Sequence, residues 1–359
     1  MTHKFNYRWN LKDAIFTKNK GKVFSCFACG GGSTMGYKLA GFDVLGCNEI
    51  DPKMMEAYKV NHNPKYAFLE PIQEFKNRKD LPAELYDLDI LDGSPPCSSF
   101  SMAGNREKDW SKEKKFREGQ ALQVLDTLFF DFIDLAKELQ PKIVVAENVK
   151  GLLFGTAKDY VRRIYKEFDE AGYYCQHFLL DASQMGVPQR RERVFFICLR
   201  KDLATQFLYQ KDMFTFQPKI KMEFNEKDIQ FKEVYQKGIC NTKHIQHSRL
   251  HNYWKQRVIS DKSIGDIIQR IDNRLSCFSV MLINNNEVIP TFTRQDRTIL
   301  YDEYRSINKE EACMVQSFPL DYNFKTNQWG YLIGMSVPPV MTAQIANQIY
   351  IQWLSKIKL

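Results

Sequence analysis

The chain has 359 residues, 44% of them apolar and 26% charged, with a formal net charge of +8. At roughly 100–200 residues per domain this makes one large or two modest globular domains, which excludes a peptide, a disulfide-stapled scaffold and wholesale disorder. No run approaches the ~18 uninterrupted apolar residues of a membrane span and the first residues lack the apolar segment of a secretory signal, while nine scattered cysteines suit thiols in a reducing, cytoplasmic setting.

The first two hundred residues alternate short apolar runs with amphipathic stretches. Strands are predicted over 23–28, 44–47, 88–91, 143–146, 174–180 and 194–199, each apolar nearly throughout, as strands covered on both faces are. Over 120–139, Leu122, Leu125, Leu128, Phe129, Phe132, Ile133, Leu135, Ala136 and Leu139 recur at helical spacing and Pro141 follows, which predicts a helix packed on a sheet. The alternation predicts an α/β fold with a doubly wound, mixed but mostly parallel sheet, whose ligands bind beyond the carboxyl ends of the strands. After residue 199 the periodicity weakens. Residues 200–276 carry fifteen Lys and Arg against nine acids, and no acid lies between Glu233 and Asp261. Three units are expected: 1–202, a smaller irregular domain over 203–286, and a return over 287–359 that ends in a helix over 339–354 and completes the first. A basic segment interleaved with His251, Tyr253 and Trp254 suits a polyanion surface, since each cation placed at a phosphate releases counterions.

Four places carry chemistry. The first strand runs into FACGGGSTMGYKLAGF, a glycine-rich turn leading to a helix, and Glu49 follows the second strand nineteen residues after Gly30. A carboxylate there can accept both ribose hydroxyls of a nucleoside cofactor. In LDGSPPCSSFS, Cys97 follows a strand and a Pro95-Pro96 pair that stiffens the loop. A lone cysteine is commonly a small buried apolar residue, but this placement suits a nucleophile. Glu147, at the end of the IVVA strand, is a general-acid candidate on the same edge. In VPQRRERVFFI, Gln189, Arg191 and Arg193 alternate and so share one face, where phosphate, a base edge or Cys97 itself would be their polar partner.

Taken together the residues resemble the DNA (cytosine-5) methyltransferase family of prokaryotic restriction-modification systems. FACGGG, Glu49, GSPPCSSFS, ENVKG, QRRER, RSINKEEACMVQSFP and GMSVPPVMTAQIA follow in family order over nearly the whole chain. The resemblance implies transfer of a methyl group from S-adenosylmethionine to cytosine C5 in double-stranded DNA, on a base extruded from the helix. It makes Cys97 the thiolate that attacks C6, Glu147 the group that holds and protonates N3, Arg193 a cytosine ligand and Arg191 a support for the Cys97 loop. Phe27, Gly31, Glu49, Ile50, Ile72 and Pro95 would bind the cofactor. Gln189, Arg249, Lys255 and Arg257 would meet DNA, the last three from a target-recognition domain over 203–286. A restriction endonuclease acting on the same site is the partner that such a system implies; no metal and no membrane are expected. The chain departs from the family pattern at Cys29 (usually glycine), Pro71 (commonly an aspartate that meets the adenine amino group), Met335 (usually asparagine) and Asn308 (often threonine), and Glu70 stands beside the missing aspartate. Four alternatives are a tRNA cytosine methyltransferase, a nicotinamide-dependent oxidoreductase with Glu49 on the ribose, a redox or metal pair formed by Cys26 and Cys29, and a non-catalytic DNA-binding relative.

Overall fold

The computed structural model describes residues 3–96, 113–114, 123–124, 127–155, 157–210, 212, 216–237, 249–276, 280–294 and 297–357. Seven strands form the central sheet: β1 (Lys22–Cys26), β2 (Asp43–Glu49), β3 (Tyr66–Leu69), β4 (Ile90–Gly93), β5 (Ile143–Val149), β6 (Tyr173–Asp181) and β7 (Glu192–Arg200), in the order β3-β2-β1-β4-β5-β7-β6. β1 to β5 pair in parallel and β7 runs antiparallel to both its neighbours, the mixed and mostly parallel sheet expected. β3 is the strand the apolar runs do not reveal, because it is only four residues long, partly exposed, and lies at the sheet edge.

Neighbouring residues divide between the two faces, as the pleat requires. Phe24, Val144 and Phe196 face one core with Phe129, Phe132, Ile164 and Phe168 of the helices α4 (Leu128–Leu139) and α5 (Ala157–Glu170). Val23, Val145 and Ile197, each one residue away, face the other with Tyr37 of α1 (Gly32–Leu39) and Val340, Ala343 and Ala346 of α10 (Pro339–Gln352). The helix expected over 120–139 begins only at Leu128. Gln123–Val124 is a short strand, and Leu122 and Leu125 lie outside the described residues. The strand expected to reach residue 28 stops at Cys26, since Phe27 takes a left-handed φ of 53°. Among the described residues no helix is long and apolar enough to cross a membrane.

The chain after residue 203 does not leave the first core at once. Ala204, Ile220 and Met222 are buried with α10, Gln176 Nε2 donates to the Pro218 carbonyl, and the Trp353 indole donates to that of Lys219. Phe231 and Val234 join a third cluster with Ile283, Leu300 and the helices α8 (Lys309–Val315) and α9 (Trp329–Met335). Only α6 (Arg249–Lys255), α7 (Ile264–Asp272) and β8 (Met281–Ile283) surround a small core of their own, Ile264, Ile267 and Leu282. β8 pairs in parallel with β9 (Thr298–Leu300), which ties that unit to the returning chain.

The order reverses between β1 and β4, so a crevice opens where their carboxyl ends part. α10 holds α1 beside it by close approach: a Cβ on Gly36 would lie 2.4 Å from the Pro339 carbonyl oxygen and 2.5 Å from Thr342 Cβ. In an open helix Gly→Ala gains about 1 kcal/mol. Here the overpacking is expected to reverse the sign, so that Gly36→Ala loses about 1–3 kcal/mol. Urea unfolding should show a lower midpoint at unchanged slope; an equal or higher midpoint would contradict the α1–α10 contact.

Candidate active site at the carboxyl edge of the sheet

The turn between β1 and α1 is held by its neighbours as well as by its own backbone. Phe27, Cys29 and Gly31 take φ values of 53°, 50° and 81°, a left-handed series strained for the two non-glycine residues. A Cβ on Gly31 would strike His62 Nε2 at 2.2 Å, and one on Gly32 the Val337 carbonyl oxygen at 2.2 Å. These glycines therefore admit other parts of the protein to the back of the turn, where the sequence suggested approach to a ligand. Glu49, 7% exposed, ends β2 and accepts from the Cys29 amide at 2.7 Å on Oε2 and from the Ile50 and Asp51 amides at 2.8 and 2.9 Å on Oε1. Burial raises its pKa, and those three N–H groups oppose the shift.

Of the other residues expected at the cofactor, Phe27 and Ile50 are partly exposed, while Gly31, Ile72 and Pro95 are buried. Glu70, beside the departure at Pro71, is ion-paired with Arg78 at 3.2 Å. Met335 is half exposed, and Ser336 Oγ donates to the Leu332 carbonyl at 2.8 Å. The departure at Asn308 has a local purpose: it N-caps α8 in a capping box with Glu311. Cys26 lies in the core on the α4 face, whereas the Cys29 sulfur meets Met54 Sδ and Ser336 Oγ, each at 3.7 Å, so the two do not form a pair. No metal-binding cluster is present among the described residues.

Asp92, on β4, belongs to no motif of the sequence, although an acid inside the apolar Ile90–Gly93 strand is itself a signal. It is 4% exposed. Its Oδ2 accepts from Ser25 at 2.8 Å and Ser33 at 2.7 Å, and its Oδ1 from the Tyr37 hydroxyl at 3.1 Å. Burial pushes its pKa up to about 6 against the pull of these hydroxyls.

On the neighbouring strand β5, Asn148 Nδ2 donates to the Pro95 carbonyl at 3.2 Å, clamping the end of β5 to the segment that leads into Cys97. Cys97 itself lies outside the described residues. Next to Asn148, Glu147 Oε1 is 3.0 Å from Arg193 Nε, with side chains 13% and 16% exposed. Burial lowers the Arg193 pKa and Glu147 opposes that. Arg191 is fully enclosed; it donates to the Phe292 and Gly334 carbonyls at 3.3 and 2.9 Å, leaving its buried Nε without a hydrogen-bond partner.

The alternation at 189, 191 and 193 does turn these side chains inward, with Arg190 and Glu192 exposed. Gln189 was expected at DNA, which its burial rules out. It is 0% exposed, donates to the Val315 carbonyl and the Gln316 side chain, and accepts from the Phe292 amide. Arg257 is partly exposed and held against the protein: its guanidinium lies 3.7 Å from the Trp254 ring centre and donates to the Tyr301 and Trp254 carbonyls at 2.5 and 3.0 Å. Arg249 and Lys255 remain exposed, Arg249 with a 3.2 Å bond to the Tyr253 hydroxyl.

Asp92 sets a pH dependence. Its folded pKa of about 6 exceeds the ordinary 3.8, so the folded state holds the proton more tightly; its contribution is complete below pH 3.8 and lost as pH rises through about 6. Relative to Asp92→Asn, the wild type is expected to lose on the order of 3 kcal/mol between about pH 4 and pH 6.5. Urea unfolding of both proteins across that window measures the difference, and a flat difference would contradict the burial of this carboxylate.

The sequence profile of C-5 cytosine-specific DNA methylases matches residues 21–351. The type II methyltransferase M.FnuDI of Fusobacterium nucleatum is 38% identical over 182 residues, 51% of this chain and 48% of that protein. M.NgoPII of Neisseria gonorrhoeae is 35% identical over 199 residues, 54% and 52% respectively, so the chain spans about half the length of these two relatives. M.MthTI of Methanothermobacter thermautotrophicus is 27% identical over 350 residues, 91% of this chain and 96% of that one. Among solved structures, a protein described as a prophage-encoded DNA modification methyltransferase of E. coli superposes with a TM-score of 0.63 at 21% identity, covering 92% of this chain and 99% of its own. A Spodoptera frugiperda DNMT2 variant gives 0.58 at 18%, with 92% and 99% covered. At these identities the likeness is one of fold, a Rossmann-like methyltransferase core. With the profile spanning nearly the whole sequence, the chain belongs to the C-5 cytosine-specific DNA methylase family.

Proposed function

We propose that the chain transfers a methyl group from S-adenosylmethionine to C5 of a cytosine in duplex DNA, through a transient bond between Cys97 and C6. The observation that carries this reading is the enclosed Glu147–Arg193 pair, beside a Pro95 carbonyl clamped by Asn148 on the way to Cys97. A carboxyl and a guanidinium on adjacent strand ends are complementary to the polar edge of a cytosine, and a base can reach such a recess only by leaving the helix.

In this mechanism Cys97 attacks C6. Glu147 holds a proton at N3, which drains the ring and turns C5 into an enamine carbon. Arg193 fixes the Glu147 carboxylate and binds the base. Arg191, tied to the carbonyls of Phe292 and Gly334, braces the wall behind them. After methylation the C5 proton passes to solvent, its electrons re-form the C5–C6 double bond, the C6–S bond breaks to release the Cys97 thiolate, and the N3 proton returns to Glu147.

S-adenosylmethionine, when bound, supplies the electrophilic methyl group. The residues present suit it: Glu49 offers a carboxylate at the crevice, and Phe27, Gly31, Ile50, Ile72 and Pro95 supply backbone and apolar walls around it. The adenine amino group has no side-chain acceptor from Pro71, and Glu70 is committed to Arg78. We assign residues 1–202 and 287–359 to catalysis and, within 203–286, whose first residues pack on the catalytic core, the unit around α6, α7 and β8 to target recognition, with Arg249 and Lys255 as phosphate contacts. The type II names of the relatives extend the proposal to a modification role beside a restriction endonuclease of the same specificity. The described cysteines are all free, in keeping with a cytoplasmic setting.

Duplex DNA substituted with 5-fluorocytosine, mixed with the protein and S-adenosylmethionine, should trap a denaturation-resistant adduct, because fluorine cannot leave as a proton does. Cys97→Ala should abolish the adduct and keep DNA binding; an adduct persisting in that variant defeats the assignment. DNA affinity should also fall steeply with salt, and Arg249→Ala or Lys255→Ala should each reduce the log–log slope by about 1, as loss of one phosphate contact does. Arg257→Ala should lower thermal stability with the slope unchanged. An unaltered slope in the first two variants would remove those residues from the interface.

A further inference from the structure

The glycine turn is a loop whose two stems meet one atom. Ser25, next to last in β1, and Ser33, in the first turn of α1, both donate to Asp92 Oδ2, at 2.8 and 2.7 Å, and their oxygens lie 3.4 Å apart. The Tyr37 hydroxyl, one helical turn further on, takes the other oxygen. Residues 26–32 thus leave and re-enter the fold over a single carboxylate.

That carboxylate also begins a second path. Cys26 is in register with Gly93 across β1 and β4, and the Ser94 amide donates to the Cys26 carbonyl at 3.4 Å. From there the chain runs through Pro95 and Pro96 to Cys97. Asp92 is therefore the point where the cofactor turn and the nucleophile segment diverge.

Packing alone does not require an acid here. The site lies between the central strands and α1, and a small apolar side chain would fill it without desolvating a charge. Burial of this carboxyl is costly enough to lift its pKa to about 6. What the acid uniquely does is bind three hydroxyls from two elements and so set the width of the turn's base.

We propose that Asp92 is a positioning residue for cofactor binding, which holds the 26–32 turn at the separation the bound cofactor needs. This rests on the methyltransferase reading above. A gap between Ser25 and Ser33 left to relax would misplace the Phe27, Cys29 and Gly31 backbone, the part of the turn already in strained conformations.

The test is calorimetric titration of the full chain with S-adenosylmethionine and, separately, with duplex DNA. Asp92→Ala is expected to weaken S-adenosylmethionine binding about tenfold or more, the scale of one lost charge-assisted contact, with DNA affinity unchanged. In steady-state methyl transfer the KM for S-adenosylmethionine should rise by the same factor while kcat at saturation changes by less than about threefold, the signature of lost ground-state binding. Asp92→Asn, whose amide oxygen still accepts both serine hydroxyls, should restore most of the affinity. Ser33→Ala should weaken binding in the wild type and add nothing in Asp92→Ala, because the two residues act as a unit. If Asp92→Ala does not fold, Ser25→Ala/Ser33→Ala, which removes both stem donors, carries the same expectation. Wild-type affinity in these variants, or equal loss of cofactor and DNA binding, overturns the proposal. Failure of the wild-type chain to bind S-adenosylmethionine overturns the methyltransferase reading and this inference with it.

Discussion

A carboxylate taken out of water must find donors, and at the carboxyl edge of this sheet three carboxylates find them in three chemically different ways. Glu49 takes backbone amides, including that of Cys29 across the crevice. Asp92 takes hydroxyls from β1 and α1. Glu147 takes the Arg193 guanidinium. Each pairing joins a strand end to a different element, so the requirement to satisfy three acids also fixes the relative positions of the turn, the first helix and the β5–β7 corner. The choice of donor sets the chemistry. Amides and hydroxyls hold a shape, whereas an ion pair keeps a carboxyl and a cation side by side where a substrate could engage both.

The returning chain closes the back of this arrangement. Gln316 donates to the Ser336 carbonyl at 2.6 Å, Val340 N to Ser317 Oγ at 3.1 Å, and the Tyr322 hydroxyl to the Gly30 carbonyl. Gln189 and Arg191 reach into the same region, binding Val315, Phe292 and Gly334. The glycine turn is thus backed by residues some three hundred positions away. A Trp9 indole bond to the Ser317 carbonyl at 2.9 Å adds the N-terminal arm to the same junction. These polar ties are almost all side chain to backbone, so they hold the path of the chain irrespective of which side chains line it.

Much of the site is legible in the sequence. The apolar runs located six of the seven sheet strands, the acids at 49 and 147 stood at strand ends, and the alternation at 189, 191 and 193 announced three inward-facing polar residues. What could not be read was each partner. Gln189 looked like a DNA ligand because a polar side chain on an inner face needs hydrogen bonds, yet it obtains them from Val315, Gln316 and Phe292. Arg257 belongs to the same basic segment as Arg249 and Lys255, yet only the fold shows that its guanidinium stacks on the ring of Trp254. Asp92 was passed over because a single acid in a four-residue strand breaks no periodicity strongly enough to stand out.

The sequence by itself determined the class of sheet, the strand-end carboxylates and the family, because periodicity and motif spacing are properties of short stretches, written in the order of residues along the chain. Tertiary structure alone decided which polar groups face inward to each other and which remain for a substrate. Hydrogen bonds and ion pairs reach only about 3 Å, so a donor at position 25, 191 or 193 is known to meet its acceptor, Asp92, Gly334 or Glu147, only once the long stretch of chain between them has folded to bring them together.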